Sequence, residues 1–259
     1  MAPEELLSDP CVLVEVARAR GSAPREAGAW MLVGATGAWG TIGGGQLEFM
    51  AMDAARALLR TGAGDRTLDV ALGPETGQCC GGRVAVRLSR AEPASVRARL
   101  AAEAAARPAV YVHGGGHTGR ALCAALALLP FRTTLVESRE AELSAAPPDV
   151  ARLLAAMPEA AVRAAPPRAA HVVLTHDHAL DFLIAAEALA RGDAPWVGMI
   201  GSASKRARFA AFARARGIDP APLHCPIGPK IADKRPAVIA ALVAAELARA
   251  LAPVPVETA

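Results

Sequence analysis

The sequence predicts an α/β fold, in which a C-terminal Rossmann-like doubly wound parallel sheet is preceded by a smaller α+β domain. From residue 109 onward, near-continuous apolar runs alternate with helical stretches, which is typical of a parallel sheet covered on both faces. Residues 114–119, GGGHTG, form a glycine turn directly after the first of these runs. Before residue 107 the apolar runs are short and broken by glycine, and one helix interrupts them.

The first domain is predicted over residues 1–107. Its predicted strands are CVLVEV, AWMLVG, AWGTIGG, TLDVAL and RVAVRL. Residues 35–37, Ala-Thr-Gly, predict a hairpin turn between the second and third of them. Helices are predicted over residues 46–60 and 94–106, and the Arg-Pro pair at residues 107–108 marks the domain boundary.

The second domain is predicted over residues 108–259. Its predicted strands lie in AVYVHGGG, RTTLVESR, HVVLTHDH and PWVGMIGS. Its predicted helices follow the glycine turn as far as residue 129, and then cover residues 179–191, 203–216 and 235–251. The proline-rich segments 146–148 and 166–167 are predicted to be loops.

Composition excludes several classes of function. The 259 residues are 53% hydrophobic and carry a net charge of +3, and their basic residues are scattered among acidic ones, so a nucleic-acid partner is not expected. No signal pattern opens the sequence, and no apolar run reaches the roughly 18 residues of a membrane span. Five cysteines without framework spacing fit a reducing compartment, so a soluble, cytoplasmic protein is expected.

The glycine turn fits the pattern G-x-G-x-x-G at Gly114, Gly116 and Gly119, between a predicted strand and a predicted helix. Glu137 ends the next predicted strand, where an acid that binds a ribose would lie. The free N–H groups of the helix start suit a phosphate. The alternative is a Rossmann turn that has kept its shape without binding a dinucleotide, because a fold does not determine a ligand.

A second glycine cluster, Gly43, Gly44 and Gly45, opens the helix predicted from residue 46 and offers another helix start to an anion. Arg25, in the stretch GSAPREAG, is a candidate for a second contact to a phosphate, because a guanidinium binds phosphate through two parallel hydrogen bonds. The alternative is an ordinary turn and an ordinary surface arginine.

The stretch THDH ends a predicted strand on the side where α/β sheets bind ligands. His176, His178 and Asp181 suggest a metal-dependent hydrolase, but the pattern H-x-H-x-D-H is incomplete. Asp177 is expected to cap the next helix. Ser202 and Lys205 match S-x-x-K, yet the companion motifs of serine acylases are absent, so Ser202 is also predicted to be a helix cap.

The stretch GQCCGG, residues 77–82, places Cys79 and Cys80 side by side. Adjacent side chains of an extended segment point to opposite sides, so the two thiols are poorly placed to bind one ion. A disulfide between neighbours would need distorted geometry. One thiol is therefore expected to pack inward, while the other faces something that Gly81 and Gly82 allow to come close.

Together these stretches resemble one family. GSAPREAGAWMLV, GTIGGGQLE, LGPETGQCCGG, VYVHGGGHTGRAL, THDHALD, GMIGSASKRARF and CPIG occur in the order seen in the XdhC/CoxI family, the xanthine dehydrogenase accessory proteins. The resemblance covers residues 11–251. It implies a homodimeric chaperone that binds molybdenum cofactor (molybdopterin) and protects it. It also implies that the chaperone delivers the cofactor, after a cysteine desulfurase has supplied the terminal sulfur, to the molybdenum subunit of xanthine dehydrogenase.

The cofactor joins a soft metal–dithiolene centre to a phosphate, so a site for it needs a thiol and an anion-binding group. The family's cysteine before Gly-Gly falls on Cys80, which is expected to face the cofactor while Cys79 points inward. The predicted cofactor-binding residues are Arg25, Gly43, Gly44, Gly45, Gln78, Cys79, Cys80, Gly81, Gly82, Gly114, Gly116, His117, Gly119, His176, Asp177 and Lys205.

No catalytic residue is predicted, and NAD(P) binding is not expected. An NAD(P)-dependent oxidoreductase that uses the glycine turn and Glu137, with His176 as its acid–base group, remains the alternative. A metal-dependent hydrolase is the third hypothesis.

Overall fold

The computed structural model folds as two units, residues 1–103 and residues 104–259, each built around its own β-sheet. The structure describes residues 1–73 and 81–251. The division falls inside a helix, three residues before that helix ends.

The first unit contains an antiparallel sheet with the strand order β3-β2-β1-β5-β4. Its strands are β1 (Val12–Arg20), β2 (Trp30–Val33), β3 (Ala38–Gly40), β4 (Arg66–Ala71) and β5 (Arg83–Arg90). Its helices are α1 (Pro3–Leu6), α2 (Gly45–Thr61) and α3 (Pro93–Ala106). The predicted turn between β2 and β3 is confirmed: the Gly34 N–H donates to the Gly37 carbonyl at 2.9 Å, and Val33 pairs with Ala38.

Burial in this unit follows the alternation that a pleated strand imposes. The first half of β1 alternates buried and half-buried positions, and α2 covers one face of the sheet with Leu47, Ala51 and Ala55. A separate core on residues of α1, β2 and α3 includes Leu6 and Val96. The unit is thus the small α+β domain that the glycine-broken apolar runs predict.

The second unit contains a parallel sheet with the strand order β8-β7-β6-β9-β10-β11. Its strands are β6 (Ala109–His113), β7 (Arg132–Glu137), β8 (Ala151–Leu154), β9 (Ala170–Val173), β10 (Val197–Met199) and β11 (Leu223–His224). Numbered within the unit, this order is 3-2-1-4-5-6, the order of dinucleotide-binding Rossmann folds. The chain reverses its direction of winding between β6 and β9, and ligands of such sheets bind at the carboxyl ends of the strands at that point.

Helices cover both faces of this sheet, which confirms the doubly wound prediction. They are α4 (His117–Leu126), α5 (Glu140–Ser144), α6 (Pro158–Ala164), α7 (His178–Arg191), α8 (Ala203–Arg214) and α9 (Pro236–Leu251). One core packs α4 and α9 together through residues such as Leu122 and Leu247. The other is built from α6, α7 and α8 and includes Ile184 and Phe209.

Five elements of the described residues are absent from the sequence prediction, namely α1, α5, β8, α6 and β11. The strand β8 lies at a sheet edge with most of its residues exposed, so it lacks the apolar run of a central strand. The strand β11 has two residues, too few for any periodic pattern. Among residues 1–73 and 81–251, every helix is too short or too polar to traverse a lipid bilayer.

Candidate functional site

The glycine turn joins β6 to α4, and two of its glycines are required by the fold. Gly114 has φ +120°, and a side-chain carbon there would lie 2.6 Å from the Leu174 carbonyl oxygen. A side-chain carbon on Gly119 would lie 1.9 Å from the Gly114 carbonyl oxygen, which shows how closely α4 approaches the turn. At Gly116 the same carbon would meet no described atom within 4 Å, so packing does not require this glycine.

A cleft of about 420 Å³ opens beside this turn at the carboxyl ends of β6 and β9. Gly116 and His117 line it from the start of α4, His176 from the end of β9, and Arg139 from beyond β7. Gly116 is the N-cap of α4 and provides no side-chain cap, so the first N–H groups of the helix have no side-chain acceptor there. The structure therefore brings the turn, His117 and His176 to one cleft, as the sequence predicts.

Glu137 ends β7 and is engaged within the protein. Its Oε2 accepts the Gly115 N–H at 2.7 Å, and its Oε1 accepts the N–H groups of Ser138 and Arg139 at 2.9 and 3.1 Å. The Arg139 side chain adds contacts at 3.3 Å to both oxygens. Burial opposes ionisation, but the hydrogen bonds from Arg139, Gly115 and Ser138 outweigh it and lower the pKa of Glu137 to about 2. This carboxylate braces the glycine turn, and its acceptor positions are already used.

Lys205 forms a buried ion pair with Asp181 instead of lining the glycine-turn cleft. Its ammonium lies 2.5 Å from Asp181 Oδ2 and donates to the Ile200 carbonyl at 2.9 Å. The other Asp181 oxygen accepts the N–H and the hydroxyl of Thr175. A separate cavity of about 250 Å³, lined by Lys205, Ser202 and Thr175 among others, lies beside the pair. The predicted cofactor-binding role of Lys205 stays a prediction.

The three side chains that the metal-hydrolase hypothesis needs as ligands do not lie together in the structure. His176 lines the glycine-turn cleft, whereas His178 lines the cavity beside Lys205. Asp181 is fully buried and engaged by Lys205. Residues 1–73 and 81–251 contain no group of three His, Cys, Asp or Glu side chains that could hold a metal ion.

The two predicted helix caps are confirmed. Asp177 Oδ1 accepts the Ala179 N–H at 2.7 Å and the Leu180 N–H at 3.4 Å at the start of α7. Ser202 Oγ accepts the Lys205 N–H at 3.2 Å at the start of α8. A cofactor-binding role for Asp177, beyond this cap, stays a prediction.

In the first unit, one loop lies against two of the predicted glycine clusters. This β1–β2 loop, residues 21–29, carries Arg25. A side-chain carbon on Gly43 would lie 2.7 Å from the Pro24 ring and 3.2 Å from Arg25 Cγ. A side-chain carbon on Gly82 would lie 2.3 Å from the Ser22 carbonyl oxygen. Arg25 therefore lies beside Gly43, while Ser22, on the same loop, contacts the chain just after the two cysteines.

The loop that leads into α2 already has a side-chain acceptor for two of its N–H groups. Glu48 Oε2 accepts the Ile42 and Gly44 N–H groups at 3.2 and 3.0 Å, and the Thr41 hydroxyl at 2.7 Å. The Gly43 N–H donates to Thr41 Oγ1 at 3.1 Å. The N–H groups of the first turn of α2 are not among the donors to Glu48, and the phosphate site at these glycines stays a prediction.

Gln78, Cys79 and Cys80 lie outside the described residues, so their predicted cofactor-binding roles stay predictions. The three remaining cysteines, Cys11, Cys123 and Cys225, are buried and unpaired. Burial raises the pKa of all three thiols, that of Cys123 to about 12. These three are protonated structural thiols and are poor metal ligands at neutral pH.

A buried histidine pair was not foreseen from the sequence. His113 of β6 and His171 of β9 lie with Nε2 and Nδ1 3.1 Å apart, and both rings are almost fully buried. Burial, and then the neighbouring His171, hold the pKa of His113 well below its usual range. Burial, and then Arg191, lower the pKa of His171 to about 4. Both rings are neutral at pH 7.

Sequence reasoning also missed Arg139 and Glu48. Arg139 belongs to no motif, and Glu48 ends the stretch GTIGGGQLE without having been assigned a role; each acts by hydrogen bonding to backbone groups or to a residue close in the chain. A signal existed for Glu48, because acidic residues in the first turn of a helix favour its N-terminal N–H groups.

Comparisons with known proteins agree with this architecture. Residues 110–247 match the family model described as the XdhC Rossmann domain, and residues 8–70 match that of the XdhC and CoxI family. The uncharacterized protein YqeB of Escherichia coli K12 is 31% identical over 253 residues, which cover 92% of this chain and 43% of that protein. This chain thus spans less than half the length of that curated relative.

A solved structure has the same fold. The crystal structure described as a xanthine dehydrogenase from Bacillus halodurans superimposes with a TM-score of 0.81. The match covers 95% of this chain and 94% of that one, at 18% sequence identity. At this identity the likeness concerns the fold alone. The family models, which match both the glycine-turn unit and most of the first unit, decide the assignment: the chain belongs to the XdhC and CoxI family.

Proposed function

We propose that this protein binds molybdenum cofactor and transfers it to the molybdenum subunit of a xanthine dehydrogenase during maturation of that enzyme. Membership of the XdhC and CoxI family supports the maturation role. The observation that carries the cofactor proposal is the position of the β1–β2 loop. It packs against Gly43 through Pro24 and Arg25 and against Gly82 through Ser22, so Arg25 belongs to the same short loop that contacts the chain just after Cys80.

These groups match the two chemical ends of the cofactor. The guanidinium of Arg25 is exposed, and among the described residues it has no ion-pair partner, so it is available to a phosphate. A soft metal–dithiolene centre favours thiolate ligands. Because burial keeps Cys11, Cys123 and Cys225 protonated, the thiol in this proposal is Cys80, with Cys79 as its neighbour.

The alternative, an NAD(P)-dependent oxidoreductase, draws on the glycine turn and its cleft. One observation counts against it. The acid that would accept the ribose hydroxyls of a dinucleotide, Glu137, already receives the N–H groups of Gly115, Ser138 and Arg139. We therefore propose a binding and transfer protein without turnover of its own. In it the glycine-turn cleft contributes to holding the phosphate-bearing cargo.

Three partners belong to this proposal, namely the molybdenum subunit of xanthine dehydrogenase, a cysteine desulfurase and a second copy of the chain. The desulfurase supplies the terminal sulfur on molybdenum before the cofactor is transferred. The support for these partners is family membership, since maturation factors act on an apo-enzyme.

Copurification tests the proposal. The protein should be produced in a host that makes molybdenum cofactor, and purified without added ligand. Metal analysis and the fluorescence of the oxidised pterin should then show molybdenum and pterin in equal amounts. Arg25→Ala should reduce both, whereas Arg66→Ala, an exposed arginine of the edge strand β4, should not. A wild-type protein that carries neither molybdenum nor pterin under these conditions contradicts the proposal.

A further inference from the structure

A second cleft, of about 730 Å³, opens in the first unit, and two of the chain's three tryptophans line it. The rings of Trp30 and Trp39 lie with their centroids 5.1 Å apart and their planes at 55°. Its volume is in the range of small-molecule sites. We refer to it as the tryptophan cleft.

The wall of the tryptophan cleft is held in place by polar contacts. Trp30 is buried, and its Nε1 donates to Glu103 Oε1 at 2.6 Å. The guanidinium of Arg99 lies 4.8 Å from the centre of the Trp30 ring and also donates to the Gly28 carbonyl at 2.8 Å. Arg99 is anchored in turn by Glu15 at 2.7 Å. This aromatic wall is therefore preorganised, which reduces the entropic cost of binding a ligand.

Both acidic and basic side chains lie around the aromatic wall. Arg25, Glu26 and Glu103 line the tryptophan cleft. Glu103 Oε1 is used by Trp30 and Arg99, while its Oε2 has no hydrogen-bond partner in residues 1–73 and 81–251. In the same ranges the side chains of Arg25 and Glu26 have no partner, and both are exposed. The cleft thus offers hydrogen-bond acceptors and a cation to one ligand.

Small residues leave the space beside Trp39 open. The remaining lining includes Ala27, Gly28 and Gly40, none of which extends a long side chain. Gly40 has φ +82°, and a side-chain carbon there would lie 2.8 Å from the Trp30 carbonyl oxygen, so only glycine fits. Trp39 itself is half-buried, so part of its ring remains accessible to a ligand.

We propose that the tryptophan cleft binds the pterin ring of the cargo, an inference that rests on the function proposed above. A pterin is a flat bicyclic heteroaromatic ring, which would stack on Trp39. Its amino and amide N–H groups would donate to Glu103 Oε2 or to Glu26. Arg25 would bind the anionic group attached to the other side of the ring.

Tryptophan fluorescence of the full-length protein tests this site with pterin-6-carboxylate as the probe, without molybdenum or xanthine dehydrogenase. Binding should quench the emission saturably. In Trp39→Leu the dissociation constant should rise roughly tenfold, the value of one lost stacking contact, and Trp30 still reports any binding that remains. Trp39→Phe should recover most of the affinity. Trp196→Phe, a change in the second unit, should leave it unaltered.

A second variant keeps the proposal testable if Trp39→Leu fails to fold. Ala27 is exposed, so Ala27→Phe adds a bulky group to the cleft wall without disturbing a core, and it should also weaken binding. Equal affinity in wild type, Trp39→Leu and Ala27→Phe would overturn the proposal. So would tighter binding of guanosine monophosphate than of pterin-6-carboxylate, because the cleft would then belong to a nucleotide.

The result of this fluorescence test can be distinguished from the result of the copurification test of the proposed function. Copurified cofactor together with no quenching by pterin-6-carboxylate would leave the function standing and reject the tryptophan cleft as the pterin site. Quenching that depends on Trp39, together with no copurified cofactor, would support the cleft as a pterin site and reject the proposed function.

Discussion

The ammonium of Lys205 lies 2.5 Å from the carboxylate of Asp181, and neither side chain is more than 6% exposed. Asp181 belongs to the first turn of α7 and Lys205 to the first turn of α8. Further hydrogen bonds connect the pair to Thr175 after β9 and to Ile200 after β10. This ion pair therefore joins two helices to two strand ends, at the edge of the sheet where the sequence places ligand-binding residues.

We predict that Lys205→Met lowers the free energy of unfolding of the second unit by about 3–5 kcal/mol, because it leaves the Asp181 carboxylate buried without its counter-charge. The double variant Lys205→Met/Asp181→Leu should recover most of this loss. Urea unfolding followed by the emission of Trp196, which lies in the second unit, measures the change. If the double variant is as unstable as the single one, the unpaired Asp181 carboxylate is not the cause of the lost stability. Restored stability without restored cofactor retention would assign Lys205 to the cofactor as well.

We predict that Glu48→Ala destabilises the first unit by about 1–2 kcal/mol, because it leaves donors of the loop before α2 without their acceptor. The reason is that Glu48 Oε2 accepts the N–H groups of Ile42 and Gly44 and the Thr41 hydroxyl. Urea unfolding of a Trp196→Phe background, in which only Trp30 and Trp39 emit, measures it. Asp53→Ala, at an exposed position of the same helix, serves as the control and should change stability by less.

We predict that the second unit loses stability as the pH falls below about 6.5, the usual pKa of histidine. The folded-state pKa values of His113 and His171 are lowered, that of His171 to about 4. The unfolded chain therefore binds protons first, and each histidine removes about 1.4 kcal/mol per pH unit until its folded-state pKa is reached. Above pH 7 the pair adds no pH dependence.

The double variant His113→Leu/His171→Leu should show a flatter stability profile between pH 6.5 and pH 4.5 than the wild type, in chemical denaturation at closely spaced pH values. An unchanged slope in this variant would mean that other groups cause the acid sensitivity.

We predict negligible binding of NADH and NADPH at physiological concentrations. Glu137 already accepts the N–H groups that brace the glycine turn, so the ribose hydroxyls of a dinucleotide lack their usual acceptor. Calorimetric titration of the protein with each nucleotide tests this. Gly116→Val is the matched variant, because a side chain at Gly116 meets no described atom and so fills the cleft without disturbing the fold. Micromolar binding that Gly116→Val abolishes would restore the oxidoreductase hypothesis.

We predict that Cys80→Ala abolishes retention of the cofactor while the protein stays folded, and that Cys79→Ala has a milder effect. Gly81 and Gly82 follow Cys80 directly, and Gly82 packs on the β1–β2 loop that carries Arg25. Molybdenum and pterin contents of the purified variants measure retention, and circular dichroism reports folding. Equal contents in Cys80→Ala and wild type would remove this thiol from the site.

The sequence predicted the strands and helices whose pattern is local. The apolar runs at β6 and β9 and the helix caps Asp177 and Ser202 follow from residues that are neighbours in the chain. The edge strand β8 was not predicted, because its mostly exposed residues do not form an apolar run. The glycine turn was recognised for the same local reason, and the structure shows that Gly114 and Gly119 have no room for a side chain.

For polar side chains whose partners are distant in the sequence, only the tertiary structure decided what each one binds. Lys205 and Asp181 are 24 residues apart, Gly115 and Glu137 are 22 apart, and Trp30 and Glu103 are 73 apart. A local sequence pattern therefore cannot indicate that these residues are partners. The sequence determined which residues carry charge, thiols or aromatic rings. Folding determined which of them satisfy one another and which are left for a ligand, because hydrogen bonds and burial depend on distance in space and not along the chain.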